Sequence, residues 1–329
     1  MPVATRVSAF LLLLAAISPA AAQEPSAQDA KNFPSRPIRI IVPFPPGGPA
    51  DIIARLVGQR MSERWGQPVV IENRPGANTA IGAQAVAKSP ADGHTLLAGM
   101  DTTMVVNPLL AGNLPYEVKD FAPITLLTRN MSLLVVRRDG PATVKDLIAD
   151  AKAKPGKLNM GAGTVTSRLG ALAFVKAAAM EVVLIPYKGS AEIVQGLLSE
   201  SVDFAFDSTA SSLPLITGGR FRALAKYSDR PFPALPDLPS LAEAAELPGL
   251  SESSTWIGLL APTGTPPKIV DKIQAEVASI YAEPAVMEKL TNAGMFAVSS
   301  TAAEFQAFIR QEIERWSKVI KDNPQIRLD

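Results

Sequence analysis

Residues 38–51, which read IRIIVPFPPGGPAD, decide the fold. A short β-branched run is followed by a loop of prolines and glycines, and Asp51 is the candidate N-cap of a helix that the pattern extends to residue 65. In an open α/β sheet, ligands bind beyond the carboxyl ends of strands, where helix N-termini present unpaired amides. Gly47 and Gly48 let the backbone approach a ligand. The sequence therefore predicts a ligand loop here, with a stiff structural turn as the alternative.

The same alternation of short strands and helices continues along the chain. It runs to residue 98, restarts after a proline-containing connection around residues 108–123, and continues to residue 206. This rhythm predicts an α/β fold of two lobes, each a mixed, mainly parallel sheet flanked by helices. We expect residues 36–103 and 223–329 to form the first lobe and residues 104–222 the second. Two lobes imply a cleft between them.

A second candidate loop, residues 161–168, lies between a strand and a helix of the second lobe. Its hydroxyl groups on Thr164, Thr166 and Ser167 and the guanidinium of Arg168 suit a carboxylate ligand. The alternative is a capped helix with Arg168 in solvent. If the two loops face each other across the cleft, they form a small polar receptor for an anion.

Three acidic residues follow predicted strands and are further candidates. Asp207, after residues 202–206, reaches the cleft or, in the preferred interpretation, only caps a short helix. Asp101 and Thr102 line the rim of the first lobe or satisfy their own turn. Asp51 would repel a bare anion at close range, so we expect it to hold the loop or to accept from a ligand hydroxyl, amine or water.

The first residues have the pattern of a secretory signal peptide. Arg6 precedes an apolar run over residues 7–17, and the small residues before Gln23 predict cleavage between Ala22 and Gln23. Residues 23–35 are expected to be a flexible lead-in. No later stretch is long and apolar enough for a membrane span. The pattern predicts a periplasmic protein without membrane insertion of the mature chain.

Charge and residue usage restrict the possible functions. Without Arg6, 31 Lys and Arg balance 31 Asp and Glu, so nucleic acid is not an expected partner. The chain has no cysteine and a single histidine, His94, which argues against thiolate chemistry, a lipid anchor and a transition-metal site. We expect no catalytic residue, metal or cofactor, and a binding protein rather than an enzyme. The rival is a periplasmic serine hydrolase that uses His94 as its base.

The chain resembles the Bug family of extracytoplasmic solute receptors. The matching motifs extend over nearly the whole mature chain, in order: PSRPI at 34–38, PFPPGGPAD at 43–51, QPVVIENRPGA at 67–77, IGA at 81–83, LPY at 114–116, KDFAP at 119–123, PYKGS at 186–190, RALA at 222–225 and WIGLLAP at 256–262.

The resemblance implies a two-lobed periplasmic-binding-protein fold (Venus flytrap, type II) with two crossing strands. In such receptors a ligand carboxylate is held by the loop matching Phe44, Gly47, Gly48 and Asp51 and by the second-lobe loop, partly through ordered water. The family usually has a His-Leu pair and a nearby Glu in the second loop, where this chain has Arg168-Leu169 and then Leu172.

The resemblance also implies a function and partners. The predicted role is capture of a small organic carboxylate, as a monomer, for the membrane components of a tripartite tricarboxylate transporter. A receptor that reports its ligand to a membrane-bound kinase is the alternative.

Overall fold

The computed structural model of the protein describes residues 32–248, 250 and 254–321. The predicted signal peptide, its cleavage site and residues 23–31 of the predicted lead-in lie outside this part. Phe33, also predicted as lead-in, is buried and packs edge-on against His94, with ring centroids 4.9 Å apart. None of the helices in the described part is long and apolar enough to cross a membrane.

The first strands and helices alternate as the sequence predicts. They are β1 (Ile38–Val42), α1 (Pro49–Trp65), β2 (Val69–Asn73), α2 (Ala80–Ala87) and β3 (Thr95–Met100). Strand β1 pairs in parallel with β2 on one side and β3 on the other. Ile40 packs into one apolar cluster and Ile41 into another, so both faces of β1 are covered. This explains why β1 is a continuous apolar run without polar alternation.

Helix α1 owes its position to residues at its two ends and to one apolar face. Pro49 occupies the first turn, where its missing amide costs nothing. Ile53, Val57 and Met61 are buried at helical spacing. Gly66 ends the helix in the left-handed conformation, with φ of 66°.

The connection after β3 differs from the prediction. It contains a π-helix (Thr102–Val106), α3 (Asn107–Leu110) and a 3₁₀ turn (Val118–Asp120), and then the 17-residue strand β4 (Phe121–Arg137). The sequence pattern predicted a proline-containing connection around residues 108–123, so the short helices within it and the start of β4 at Phe121 were not predicted. Pro123 is tolerated inside β4 because the register against the neighbouring strand shifts between Pro123 and Thr125.

The next strands and helices build the other half of the sheet. They are α4 (Val144–Ala153), β5 (Asn159–Ala162), α5 (Val165–Ala177), β6 (Val183–Pro186), α6 (Ser190–Leu198), β7 (Phe204–Ser208), α7 (Thr209–Thr217) and β8 (Phe221–Lys226). Strand β5 pairs in parallel with β6 and β7, while β4 runs antiparallel to β7 and β8. A short helix after Asp207 was one of the sequence interpretations, and α7 lies there; β8 was not predicted from the sequence.

The chain then returns to the first half. Its last elements are α8 (Leu241–Ala244), β9 (Ser254–Pro262), α9 (Pro267–Tyr281), α10 (Pro284–Asn292), β10 (Met295–Ala297) and α11 (Ala302–Lys321). A capping box begins α11, since the amide of Glu304 donates to Thr301 Oγ1 at 3.2 Å and the amide of Thr301 to the Glu304 carboxylate at 2.8 Å. Before α9, the Thr265 hydroxyl donates to the carbonyl of Pro262, and Pro266 occupies the N-cap.

One mixed sheet connects all of these strands, in the order β2-β1-β3-β9-β4-β7-β5-β6, with β8 and β10 also on β4. Residues 121–131 of β4 pair with β9, and residues 132–137 pair with β7 and β8. We call β1–β3, β9, β10 and residues 121–131 the first half, and β5–β8 and residues 132–137 the second half. The predicted lobe limits at residues 103/104 and 222/223 stay a prediction; strand pairing itself changes within β4, between Met131 and Ser132.

Candidate functional site

A hollow lies where loops of the two halves meet. It encloses about 660 Å³ of space, the part open to solvent included. Its lining comes from the loops after β1, β5 and β6, from the first residues of the helices that follow these three strands, and from the strands β3, β4, β7 and β9. The lining residues are Phe44, Pro45, Pro46, Gly48, Pro49, Ala50, Met100, Ser132, Gly163, Thr164, Ser167, Gly189, Ser190, Ala191, Glu192, Ile193, Phe206, Asp207, Ser208 and Thr255.

The loop after β1 is held in shape by its own polar contacts. Gly47 has a φ of 86°, a conformation that side chains disfavour. Its amide donates to Asp51 Oδ2 at 3.0 Å, and the Asn73 side-chain amide donates to the Phe44 carbonyl at 3.1 Å. Phe44 and Gly48 line the hollow. Gly47 does not line it and serves as the turn.

Asp51 is the centre of this support and does not line the hollow. Arg55 donates to both of its carboxylate oxygens, at 2.8 and 2.9 Å, and Asn73 donates to Oδ1 at 2.9 Å. Burial alone would raise the pKa of Asp51, but the hydrogen bonds from Arg55, the Gly47 amide and Asn73 hold it below its ordinary value. The predicted N-cap role is wrong, because α1 begins earlier, at Pro49, with Gly48 as its N-cap. Asp51 holds the loop shape, which was the other role expected for it.

The second predicted loop reaches the same hollow. Thr164 caps α5 by accepting from the amide of Ser167 at 3.1 Å, and Ser167 Oγ donates to the carbonyl of Phe206 at 3.3 Å. Thr164 and Ser167 line the hollow together with Gly163. Loops from opposite halves of the sheet are therefore brought together, as the sequence analysis expected.

Four predicted residues lie behind the hollow and do not line it: Asp101, Thr102, Thr166 and Arg168. Asp101 and Thr166 are both fully buried. Burial raises the pKa of Asp101 to about 7, although the nearby hydroxyl of Thr166 and the Thr102 amide act in the opposite direction. Asp101 follows β3 and Thr166 begins α5, so this buried contact joins the two halves beneath the site.

Asp207 lines the hollow at the end of β7 and is 2% exposed. Its Oδ2 accepts from the Ser212 hydroxyl at 2.6 Å. Burial raises its pKa to about 6, although the nearby hydroxyls of Ser190 and Ser212 and the Ser208 amide act in the opposite direction. The preferred interpretation, that Asp207 caps a helix, is wrong: Ser208 is the N-cap of α7 and accepts from the Ser211 amide.

The sequence analysis missed two parts of the lining. Gly189, Ser190 and Glu192 follow β6, and Glu192 accepts from the amide of Lys188 at 3.0 Å. A glycine and a serine between a strand and a helix were a usable signal, the same one that identified the other two loops. Ser132 and Thr255 come from β4 and β9, and no local motif indicates that these strand residues reach the hollow.

The chemistry of the hollow is that of amides and hydroxyls. The described lining contains no Lys, Arg or His, and its two acidic residues are Glu192 and Asp207. The N-termini of α1, α5 and α6 contribute Ala50, Thr164 and Ser190 to the lining, so unpaired amides and the positive ends of three helices converge on it. This arrangement suits an anion such as a carboxylate.

His94 does not line the hollow and has contacts of its own. It is 6% exposed, packs edge-on against Phe33, and its ring nitrogen lies 3.1 Å from the carbonyl of Asp92. It is therefore a buried residue immediately before β3. The serines of the hollow have no histidine beside them, which removes the geometric basis of the hydrolase rival. Within the described part, no cluster of His, Asp or Glu could hold a metal ion.

Comparison with family models and curated proteins gives consistent matches. The model described as "TctC: Tripartite tricarboxylate transporter family receptor" matches residues 53–324. A UPF0065 protein from the tcbD-tcbE intergenic region of Pseudomonas sp. strain P51 is 41% identical over 298 residues, 89% of this chain and 88% of that protein. Protein BugT of Bordetella pertussis is 34% identical over 89% of this chain and 91% of its own length.

Solved structures match over most of the chain as well. One described as R. palustris Rpa4515 with adipate has a TM-score of 0.84 and 34% identity, and covers 88% of this chain and 97% of that one. Another, MatC (Rpa3494) from Rhodopseudomonas palustris with bound malate, has a TM-score of 0.80 and 30% identity, and covers 88% of this chain and all of that one.

Proposed function

This chain belongs to the tripartite tricarboxylate transporter receptor family, and we propose that it binds a small organic carboxylate in the hollow between its two halves. The membership confirms the family resemblance inferred from the sequence motifs. The likeness to a solved structure described as the periplasmic binding protein BugD, with a TM-score of 0.83 and 31% identity, likewise confirms the predicted fold class.

One observation carries the proposal: residues from both halves line a single hollow, and its positive potential comes from helix N-termini. Gly48 and Ala50 come from the first half, and Thr164, Ser167 and Ser190 from the second. Backbone amides and hydroxyls at these positions complement a carboxylate without a cationic side chain. The relatives described with adipate and malate support the same ligand class for this chain.

We propose that the ligand stabilises a closed arrangement of the two halves. A Cβ atom at Gly189 would lie 3.9 Å from Pro45 Cδ, so the loops after β1 and β6 touch across the mouth of the hollow. A ligand that contacts both loops has more contacts when they are together, and this differential affinity drives closure. Capture requires no chemical step, and we propose that the protein releases its ligand unchanged, as a receptor and not as an enzyme.

The test is a thermal-shift screen of the purified mature protein against mono- and dicarboxylates. A true ligand at 100 times its dissociation constant adds about 2.7 kcal/mol to the free energy of unfolding. We expect at least one carboxylate to raise the melting temperature, and product analysis after incubation to recover that compound unchanged. A screen in which no carboxylate binds, or in which the bound compound is converted, contradicts the proposal.

We further propose that the loaded monomer works in the periplasm and delivers its carboxylate to the membrane components of a tripartite transporter. The test removes the gene and measures uptake of the radiolabelled ligand together with the transcriptional response to it. Loss of uptake is expected. A strain that keeps full uptake but loses the transcriptional response would contradict delivery and favour a sensing receptor.

A further inference from the structure

The hollow contains one acidic group that a simple carboxylate ligand does not explain. Of its two acidic residues, Glu192 already accepts a hydrogen bond, from the backbone amide of Lys188 to Glu192 Oε2 at 3.0 Å. Asp207 is the other, and it lies in the same hollow as the helix N-termini assigned to the ligand carboxylate. A ligand anion therefore binds near a group that can carry the same charge.

The free oxygen of Asp207 is the second observation. Oδ2 accepts from Ser212, while Oδ1 is buried and has no hydrogen-bond partner among the described residues. A buried carboxylate oxygen without a donor is costly, because desolvation is not compensated. The polar groups near this carboxyl are hydroxyls and an amide, from Ser190 on α6, Ser208 on β7 and Ser212 on α7, and no charged side chain is among them.

The neighbouring hydroxyls have other partners, which leaves the ligand as the source of a donor for Asp207 Oδ1. The Ser190 hydroxyl donates to Ser208 Oγ, with the two oxygens 3.4 Å apart. Ser208 in turn caps α7. A ligand hydroxyl or amine could donate to Oδ1, whereas a deprotonated carboxylate placed there would be repelled.

We propose that Asp207 is a specificity-determining residue that selects ligands carrying a hydroxyl or amino donor in addition to their carboxylate. The expected ligand class is thus hydroxy- and aminocarboxylates, in preference to acids without a donor. This inference rests on the proposed function, since it assumes that the hollow binds carboxylates.

The test uses calorimetric titration of the mature protein with pairs that differ by one donor: L-malate with succinate, L-lactate with propionate, and 4-hydroxybenzoate with benzoate. In at least one pair, the donor-bearing acid should bind ten times more tightly or better, because a site built to pair a polar group rejects the analogue that leaves it unpaired. In Asp207→Asn this preference should fall at least fivefold. Asp203→Asn is the matched control, because Asp203 precedes the opposite end of β7 and accepts from the amide of Asn159.

The outcomes separate the two proposals. If acids bind but donor-bearing and donor-free partners bind equally, or if Asp207→Asn keeps the full preference, the inference is overturned and the proposed function stands. If no acid binds the native protein, both fail. Should Asp207→Asn not fold, the ratio of affinities within each pair for the native protein still decides the inference.

Discussion

At the scale of single residues, Asp101 couples protonation to stability. Burial raises its pKa from the ordinary 3.8 to about 7 in the folded protein. As the pH rises from about 4 to 7, the unfolded chain releases a proton that the folded chain keeps, so the free energy of unfolding falls through this window. The stabilising contribution is present below pH 4 and lost above pH 7. Neutral Asp101 is the form that the fold prefers.

Asp101→Asn should therefore be more stable than the native protein at pH 8 and similar to it near pH 4. The gain is expected to reach up to about 4 kcal/mol, since each pKa unit is worth about 1.4 kcal/mol. Urea unfolding at pH 4, 6 and 8 measures it. Asp139→Asn, which changes a carboxyl that is 77% exposed, is the control and should leave the profile unchanged. Parallel profiles for native protein and Asp101→Asn would refute the coupling.

Asp51 has a different role, which a second substitution tests. Asp51→Asn removes the carboxylate charge that accepts hydrogen bonds from Arg55 and the Gly47 amide, so the ligand loop should lose its fixed shape. We expect ligand affinity to fall at least fivefold and the free energy of unfolding by about 1–3 kcal/mol. Glu63→Gln on the same helix removes only an exposed pair with Arg60 and should keep native affinity. Unchanged affinity in Asp51→Asn would contradict a loop-holding role.

These residues also show how far sequence reasoning reached. Gly48, Thr164 and Ser167 were predicted from strand–loop–helix patterns and Phe44 from the family resemblance, and all four line the hollow. For Asp101 the rim of the first lobe was one of two alternatives, but the residue is fully buried, because the helix after β3 starts immediately and α5 covers it. Local patterns identify the end of a strand, while the direction of a side chain there depends on packing between distant segments.

At the scale of elements, two threonine caps allow stability and binding to be separated. Thr164 caps α5 at the hollow, and Thr143 caps α4 away from it, each by accepting from the amide three residues later. Thr164→Ala and Thr143→Ala should each lower the free energy of unfolding by about 1 kcal/mol. Only Thr164→Ala should also weaken ligand binding. Chemical unfolding and calorimetry measure the two effects, and a loss of affinity in Thr143→Ala would show that capping acts globally.

Proline explains why β4 and α7 were predicted incompletely. Helix α7 contains Pro214 and strand β4 contains Pro123, and proline is a strong sequence signal against regular structure. In β4 a register shift absorbs the missing amide, and both faces of the strand are buried, which removes the polar alternation. The parallel strands and their helices were predictable because each has an apolar run bounded by turn residues.

At the scale of the whole molecule, the contact between the loops after β1 and β6 makes closure measurable. The native chain has no cysteine, so a double variant with Pro45→Cys and Gly189→Cys introduces one possible disulfide. The two positions are neighbours, since a Cβ atom at Gly189 would lie 3.9 Å from Pro45 Cδ. We expect oxidation to be faster with ligand present and the oxidised form to scatter X-rays as a more compact particle.

A second double-cysteine variant serves as the control for thiols that are not close in space. Pro45→Cys combined with Ser199→Cys places the second thiol at the other end of α6, and this variant should not form the bond. If ligand has no effect on the oxidation rate of the first variant, the closure model is wrong.

Strand β4 has a consequence for how such a protein can be divided or recombined. Its first part completes the sheet beside β9, and its second part completes the sheet beside β7 and β8. A gene fragment cut at residue 131 would strip each product of a central strand and expose unpaired edges to aggregation. Chimaeras between relatives should therefore be spliced in surface loops and inherit β4 intact. Because β4 belongs to both halves, one half cannot be exchanged between relatives without also exchanging part of the other.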